Sequence, residues 1–453
     1  MNRSDENSQF AKMTETPVKP LVAGLAVPTI ISMLVTSVYN TADTFFVSKL
    51  GTSASGAIGI VFSLMAVIQA VGFTLGMGSG SAISRLLGQR KNDEADCYAS
   101  SGLAASAVFG LLLGITGLLT LEPLMRLLGS TETILPYAAE YGKYILISAP
   151  FMTMTFVLNN ILRSEGKARL SMIGLASGSI LNIGLDPLMI FVFDMGITGA
   201  AASTLIGNII SFCILLYFFL AKKTTVRLSV QSISRSPMLY LKIIRNGLPS
   251  FCRQGLASIS TVMLNNAAAD YGDAAVAAIS IVGKIFMLIF SVILGFGQGY
   301  QPVAGFNYGA GKYKRVKEAL MFNYITATIM MTVLAAGDFI FAPQLMELFI
   351  KDDPQVIETG ALALRIQCLS MPLLPLTTTS NMTFQSIGKS WTAVLLSSCR
   401  QGIYFIPLIL ILPDIYGLNG VISVQTAADV LSAATSLPFL IWFVRKLGRE
   451  NQQ

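Results

Sequence analysis

Asp43, Asn182, Asp186 and Thr204 are the residues of this 453-residue chain whose types and spacing could do chemistry. Each falls inside or beside an apolar stretch, and a carboxylate in hydrocarbon is expensive to keep and is seldom there for stability. Asn182 and Asp186 are spaced i to i+4, which puts both on one helix face, and Pro187 interrupts the backbone hydrogen bonding directly afterwards. Asp43 stands late in the first apolar stretch and Thr204 early in the sixth, so at ~1.5 Å rise per residue they reach compatible depths. Two carboxylates sharing a dry site resist ionising together, so such a pair can take up and release a proton. The same carboxylate, amide and hydroxyl oxygens could cage sodium, a hard cation. The plainer reading is that each side chain only satisfies nearby backbone groups.

The elements that must position these groups follow from composition. Hydrophobic residues make up 53% of the chain and charged residues 12%. Apolar segments recur from near 22–47 to near 418–444, about twelve in all, each long enough to cross ~30 Å of hydrocarbon as a helix. The sequence also repeats itself. Pro28 returns as Pro249, Gly51 as Gly272, Gly76 and Gly78 as Gly297 and Gly299, Gly88 as Gly309, Pro150 as Pro372, and Lys167 as Lys389. The same registers put Leu264 opposite Asp43, Tyr404 opposite Asn182 and Leu408 opposite Asp186, so only the first copy keeps its acids. Six spans per copy is an even number, which makes this a parallel repeat. The expected fold is an all-α membrane protein with twelve transmembrane helices in two pseudo-symmetric six-helix lobes. Residues 1–221 form the first lobe and carry the ion-coupling site, 222–239 a basic cytoplasmic linker, and 240–453 the second lobe. The matched prolines predict a shared bend in the first helix of each copy, with Pro28 as a hinge.

Most of the 31 Lys and Arg residues fall in the termini and alternate loops, while the opposite loops hold only Lys49, Arg126, Lys143 and Lys351. The positive-inside rule then puts both termini in the cytoplasm, and the net charge of +7 is a topology signal with no call for nucleic acid. No apolar run of signal-peptide length precedes the first span. Histidine is absent and the five cysteines are scattered singly. That removes zinc motifs and a Ser-His-Asp triad, so an enzyme is disfavoured, and no cofactor is expected beyond a proton or sodium as coupling ion. A channel would need repeated filter loops, which neither copy has. In the second copy Arg253, Lys284, Arg400 and Asp429 fall near mid-depth. They should face a cavity or one another, and pairing of Asp429 with one of the bases competes with a cavity-lining role.

The run NTADTFFVSKLG, the glycine-rich GFTLGMGSGSAISRLLGQRK, LRSEGKAR, NIGLDPLMIF and GITGAAASTLIG, in this order, resemble the MATE (multidrug and toxic compound extrusion) transporters, in particular the DinF-like branch. The resemblance covers nearly the whole chain. It implies that Asp43, Asn182, Asp186 and Thr204 form the coupling site, that Tyr39 and Tyr141 border its cavity, and that Asn159 belongs to the same network. The implied function is a secondary antiporter of the plasma membrane that exports amphipathic, cationic organic compounds, as a monomer, in exchange for protons or sodium. Protonation would bend the first span about Pro28 and release the drug. The alternative within the superfamily is a flippase for lipid-linked sugars, which would need a strongly basic cavity.

Overall fold

The computed structural model describes residues 3–350 and 353–450, so Lys351, one of the four basic residues expected in the opposite loops, lies outside them. A short polar helix, α1 (Arg3–Glu15), precedes the first six long helices: α2 (Val18–Ser48), α3 (Thr52–Gly88), α4 (Asn92–Leu119), α6 (Leu135–Ser164), α7 (Ala168–Pro187) and α8 (Gly196–Leu220), with the short α5 (Leu121–Leu127) between α4 and α6. The second half repeats the pattern. It comprises α9 (Pro237–Ala269), α10 (Asp273–Gly309), α11 (Tyr313–Ile340), the short α12 (Ala342–Glu347), a span broken into α13 (Pro354–Cys368) and α14 (Leu374–Ser386), a second broken span of α15 (Ser390–Ser398) and α16 (Phe405–Tyr416), and α17 (Leu418–Glu450).

Eleven of these twelve spans are long and apolar enough to cross a membrane by composition, among the described residues. The exception is α9, expected over 240–269. Its Lys242, Arg245 and Arg253, with Asn246 and Gln254, lower its hydropathy, although it is 33 residues long and packs along α3 and α15. A helix shielded by neighbours can carry charges that a lipid-facing one cannot.

Glycines set how the two halves meet. α10 lies along α2, and α3 lies along α9. A side chain at Gly299 would strike the backbone of Leu25 and Ala26, and one at Gly78 would strike the backbone of Ile243 and Gly247. These are the repeat-matched positions, so the same close crossing is built twice. On the face that carries the termini, Gly88 meets the backbone of Phe306 while Gly309 meets that of Arg85. Polar contacts reinforce this closure, with Arg85 donating to the Ser386 carbonyl at 2.7 Å and Arg163 to Gln298. Further from that face, Ser37 and Ser291 share a hydrogen bond of 2.7 Å. The contacts between the halves thus gather on the terminal side.

α1 straps across that closed side. Gln9 donates to the Glu165 carbonyl, and Arg90 stands over the Phe10 ring at 4.3 Å, both from the first half. From the second half, Asn307 donates to the Met13 carbonyl at 3.0 Å, Lys312 to that of Thr14 at 3.1 Å and Arg315 to that of Thr16 at 2.6 Å. Carbonyls at a helix C-terminus lack intrahelical partners and carry the negative end of its dipole, so cations there are favourable. The segment between α8 and α9, expected as a basic linker, is also docked: buried Glu165 accepts from the Thr225 and Val226 amides at 2.7 and 3.2 Å. Burial pushes the Glu165 carboxyl up, against the opposing pull of Lys167 and the two amides.

The glycine crossings are directly testable. Gly78→Val and Gly299→Val are expected to cost roughly 1–3 kcal/mol each through overpacking against backbone. Gly24→Ala, where an added methyl meets nothing within 4 Å, serves as the control. Thermal-shift midpoints of the detergent-purified proteins would read the difference, and equal midpoints for all three would show that the crossings tolerate separation.

Candidate functional site

α7 and α8 approach closely because Gly178 and Gly207 face one another, and a methyl at Gly207 would come within 2.9 Å of the Gly178 carbonyl. One turn beyond Gly178 stands Asn182, and one turn before Gly207 stands Ser203, so the small residues bring the polar ones into reach. Asn182 Nδ2 donates to Ser203 Oγ at 3.2 Å and to Thr204 Oγ1 at 3.3 Å. Ser203 Oγ in turn donates to Asp186 Oδ1. Directly after Asp186 the chain makes a single π-helical turn, Leu188–Val192, closed by Phe193 N–H on the Leu188 carbonyl at 2.9 Å. Such turns occur often at functional sites, and here Pro187, which removes a backbone donor, begins the irregularity.

α2 supplies Asp43, and α6 supplies Tyr141, whose hydroxyl donates to Asp43 Oδ2 at 3.0 Å. Tyr39 and Tyr141 both bring their hydroxyls up to Thr204, and Asp43 lies close enough to Asp186 for their charges to repel. Asp43, Asn182, Asp186 and Thr204 are all buried, at 7%, 2%, 0% and 2% exposure. Three of their oxygens have no hydrogen-bond partner: Asp43 Oδ1, Asn182 Oδ1 and Asp186 Oδ2. An unmet buried polar atom is costly, so three in one cluster leave hydrogen-bonding capacity for another species. The arrangement can take a proton on either carboxylate, or offer oxygens to a small cation.

The structure thus brings together six of the residues singled out for the first half, and sets one apart. Asn159 is on α6 with Tyr141, but 18 residues further along, a separation of about 27 Å. It accepts from Ser171 Oγ at 2.9 Å, at the start of α7, and takes no part in the Asp43 network. Ser203 was missed by sequence reasoning although it links Asp186 to Asn182. Its position beside Thr204 in GITGAAASTLIG was the available signal, but a lone serine among alanines reads as helix packing.

In the second half one acid and one base are spent on each other. Arg400 Nε bonds Asp429 Oδ1 at 2.7 Å, and Gln425 and Ser370 donate to the same carboxylate at 2.8 and 3.1 Å. A π-helical turn over Cys399–Ile403 carries Arg400, whose guanidinium also lies over the rings of Phe286 and Phe290 at 5.1 and 4.9 Å. Of the two readings open for Asp429, ion pairing is the one observed. Lys284 is exposed on α10, and Arg253 lies within Coulombic reach of Arg163. The four residues therefore do not form one cluster. Pro28 lies inside an unbroken α2, and Thr29 bonds the Leu25 carbonyl at 2.8 Å. The expected hinge thus falls within a continuous helix.

Two six-helix bundles meeting face to face, with an acid pocket in one bundle only, define a membrane transporter of duplicated build. The MatE family model matches residues 28–188 and again 249–411, and the chain belongs to that family. Among its relatives, the multidrug export protein MepA of Staphylococcus saprophyticus is 26% identical over 93% of this chain and 92% of its own length. MepA of Staphylococcus aureus is 25% identical over 97% of each. A crystal structure of MATE in complex with MaL6 superposes with a TM-score of 0.92 at 29% identity, covering 98% of this chain and 99% of that one. A multidrug resistance MATE family transporter in an outward-facing conformation superposes with a TM-score of 0.90 at 29% identity, covering 97% and 100%.

Two outcomes follow from this geometry. Asp43→Asn and Asp186→Asn are each expected to slow gradient-driven transport at least ~10-fold, with the double variant no slower than the worse of the two, because residues of one network do not contribute additively; additive losses would separate them into two sites. Asp429→Asn is expected to destabilise by about 3–5 kcal/mol by stranding Arg400, and Arg400→Met in the same chain should recover much of that. Urea or thermal unfolding of the single and double variants reads the second outcome.

Proposed function

We propose that this chain is a DinF-like secondary antiporter that exports amphipathic, cationic organic compounds across the plasma membrane in exchange for protons, working as a monomer with both termini in the cytoplasm. Residues 1–221 are its coupling lobe. The observation that carries the reading is the buried pocket with three unpartnered oxygens on Asp43, Asn182 and Asp186. The multidrug export described for its relatives supports the substrate class.

Each aspartate has one oxygen held by a neutral donor, Tyr141 or Ser203, and one oxygen without a partner. Such a carboxyl accepts a proton without rearranging its neighbours, whereas sodium requires both acids ionised and a closely fitted oxygen shell. Protonation would remove the charge that attracts a cationic drug and the water that solvates it. α2, which carries Asp43 and packs on both α7 and α10, would then bend at Pro28 and close the pocket. The terminal-side contacts between the halves are the ones that must part for the site to reach the cytoplasm. A lipid-linked-sugar flippase is less favoured, because Arg400, one of the three bases in the second copy, is already bound by Asp429.

The test is proteoliposome efflux of a cationic dye. An acid-outside pH jump in sodium-free buffer is expected to drive efflux, and an imposed sodium gradient is expected to add nothing. If sodium alone drives efflux and the pH jump does nothing, the ion is sodium and the proton reading fails.

A further inference from the structure

Two arginines in the interior take no part in the acid pocket and meet no carboxylate. Arg163, near the end of α6, is 5% exposed and reaches with its guanidinium between the halves. It donates to Asn160 on its own helix, to Met77 Sδ of α3 at 3.5 Å and to Gln298 of α10. All three partners are neutral. Arg253 stands sixteen residues into α9, about 24 Å along it and therefore near mid-membrane depth. The one charge that acts on Arg163 is that of Arg253, and none of the described acids acts on either guanidinium. Arg253 makes no hydrogen bond or ion pair with any described residue, and it is enclosed by protein while keeping some exposure. Two like charges in one dry place, one of them unmet, burden a fold, because an uncompensated buried charge is strongly destabilising.

The duplicated scaffold requires neither cation. In the register that pairs Lys167 with Lys389, Arg163 returns as Gln385, which donates to Ser250 at 2.9 Å and to the Asn246 carbonyl at 3.2 Å and so stays within its own half. In the register that pairs Pro28 with Pro249, the counterpart of Arg253 is Ser32, a small neutral side chain. The frame thus closes with neutral groups at both matched places, and helix packing does not account for the arginines. The same register puts Arg253 at the depth of Ser32, eleven residues and about 16 Å inward of Asp43. The two guanidiniums therefore stand apart from the acid pocket, toward the side on which the halves converge. A guanidinium offers a planar fork of donors that fits a carboxylate at two points, and an anion beside both would relieve the repulsion and the unmet charge together.

We propose that Arg253, with Arg163 behind it, forms an anion-binding subsite at the base of the space between the halves, which takes the carboxylate of an organic substrate. Such a substrate carries an acidic group in addition to the cationic centre that the acid pocket favours. The choice of ligand rests on the reading of this chain as an exporter of organic compounds, whereas the subsite is read by equilibrium binding, which needs no ion gradient.

Tetramethylrhodamine and its methyl ester share one cationic ring system and differ only in a free carboxylate against an esterified one. Fluorescence anisotropy of each dye, titrated with the detergent-purified full chain at neutral pH, is expected to show tighter binding of the acid than of the ester. Arg253→Gln, checked as monodisperse on gel filtration, should weaken the acid about ten-fold relative to the ester, the loss that goes with a hydrogen bond between charged groups. Arg253→Lys should recover part of that loss. Equal, weaker or absent binding of the acid by the wild-type protein overturns the proposal without recourse to any variant. An Arg253→Gln variant that weakens both dyes by the same factor overturns it too, since the side chain would then serve packing alone. If chloride abolishes the advantage of the acid in the wild-type protein, the site belongs to a small inorganic anion and the carboxylate assignment fails. Failure of pH-driven efflux, by contrast, counts against proton coupling and leaves a positive binding result in force.

Discussion

Two carboxylates held in a hydrocarbon-embedded pocket with half of their hydrogen-bonding capacity unmet are the constraint on which the rest of the structure depends. Desolvating an ionised group without a compensating partner is costly enough that a fold keeps such groups only where they are filled in use. Every neighbour of Asp43 and Asp186 is consistent with that tension. Tyr141 and Ser203 are neutral donors that fix the carboxylates' orientation without cancelling their charge, with Asn182 donating to Ser203 in turn, and they leave Asp43 Oδ1 and Asp186 Oδ2 without partners. A lysine or arginine in any of these places would end the pocket's usefulness by supplying a permanent counter-charge.

The second half shows what that alternative looks like. Asp429 is as deeply buried, but Arg400, Gln425 and Ser370 satisfy it, and Arg400 is further anchored over two stacked phenylalanines. One half of a duplicated scaffold thus keeps its acids chemically open while the other has closed its acid into structure. Glycine crossings preserved in both halves keep the mechanical frame the same. Matched close crossings make the interface between the halves alike on both sides of the repeat. α1 adds an asymmetric restraint, since it is tied to both halves on the side where they already touch.

The sequence by itself determined the class of protein, the duplication and the location of the acid pocket. Hydropathy fixes helices because no other backbone arrangement satisfies its own hydrogen bonds in lipid, and the residue-by-residue match between halves exposes where charge was kept or lost. It also placed Asp43, Asn182, Asp186 and Thr204 at one depth, since rise per residue converts position into height. Height is where such reasoning stops. Asn159 carried the right chemistry but stands some 27 Å along its helix from Tyr141, and Ser203, with no distinguishing pattern, became the link between Asp186 and Asn182. The sequence left Asp429 with three candidate bases, and only packing chose Arg400, through a π-helical turn that no periodicity announces. Which oxygens are met and which remain open depends on how far two helices can approach. That distance is set by Gly178 and Gly207 facing one another between α7 and α8, a relation between residues on separate helices.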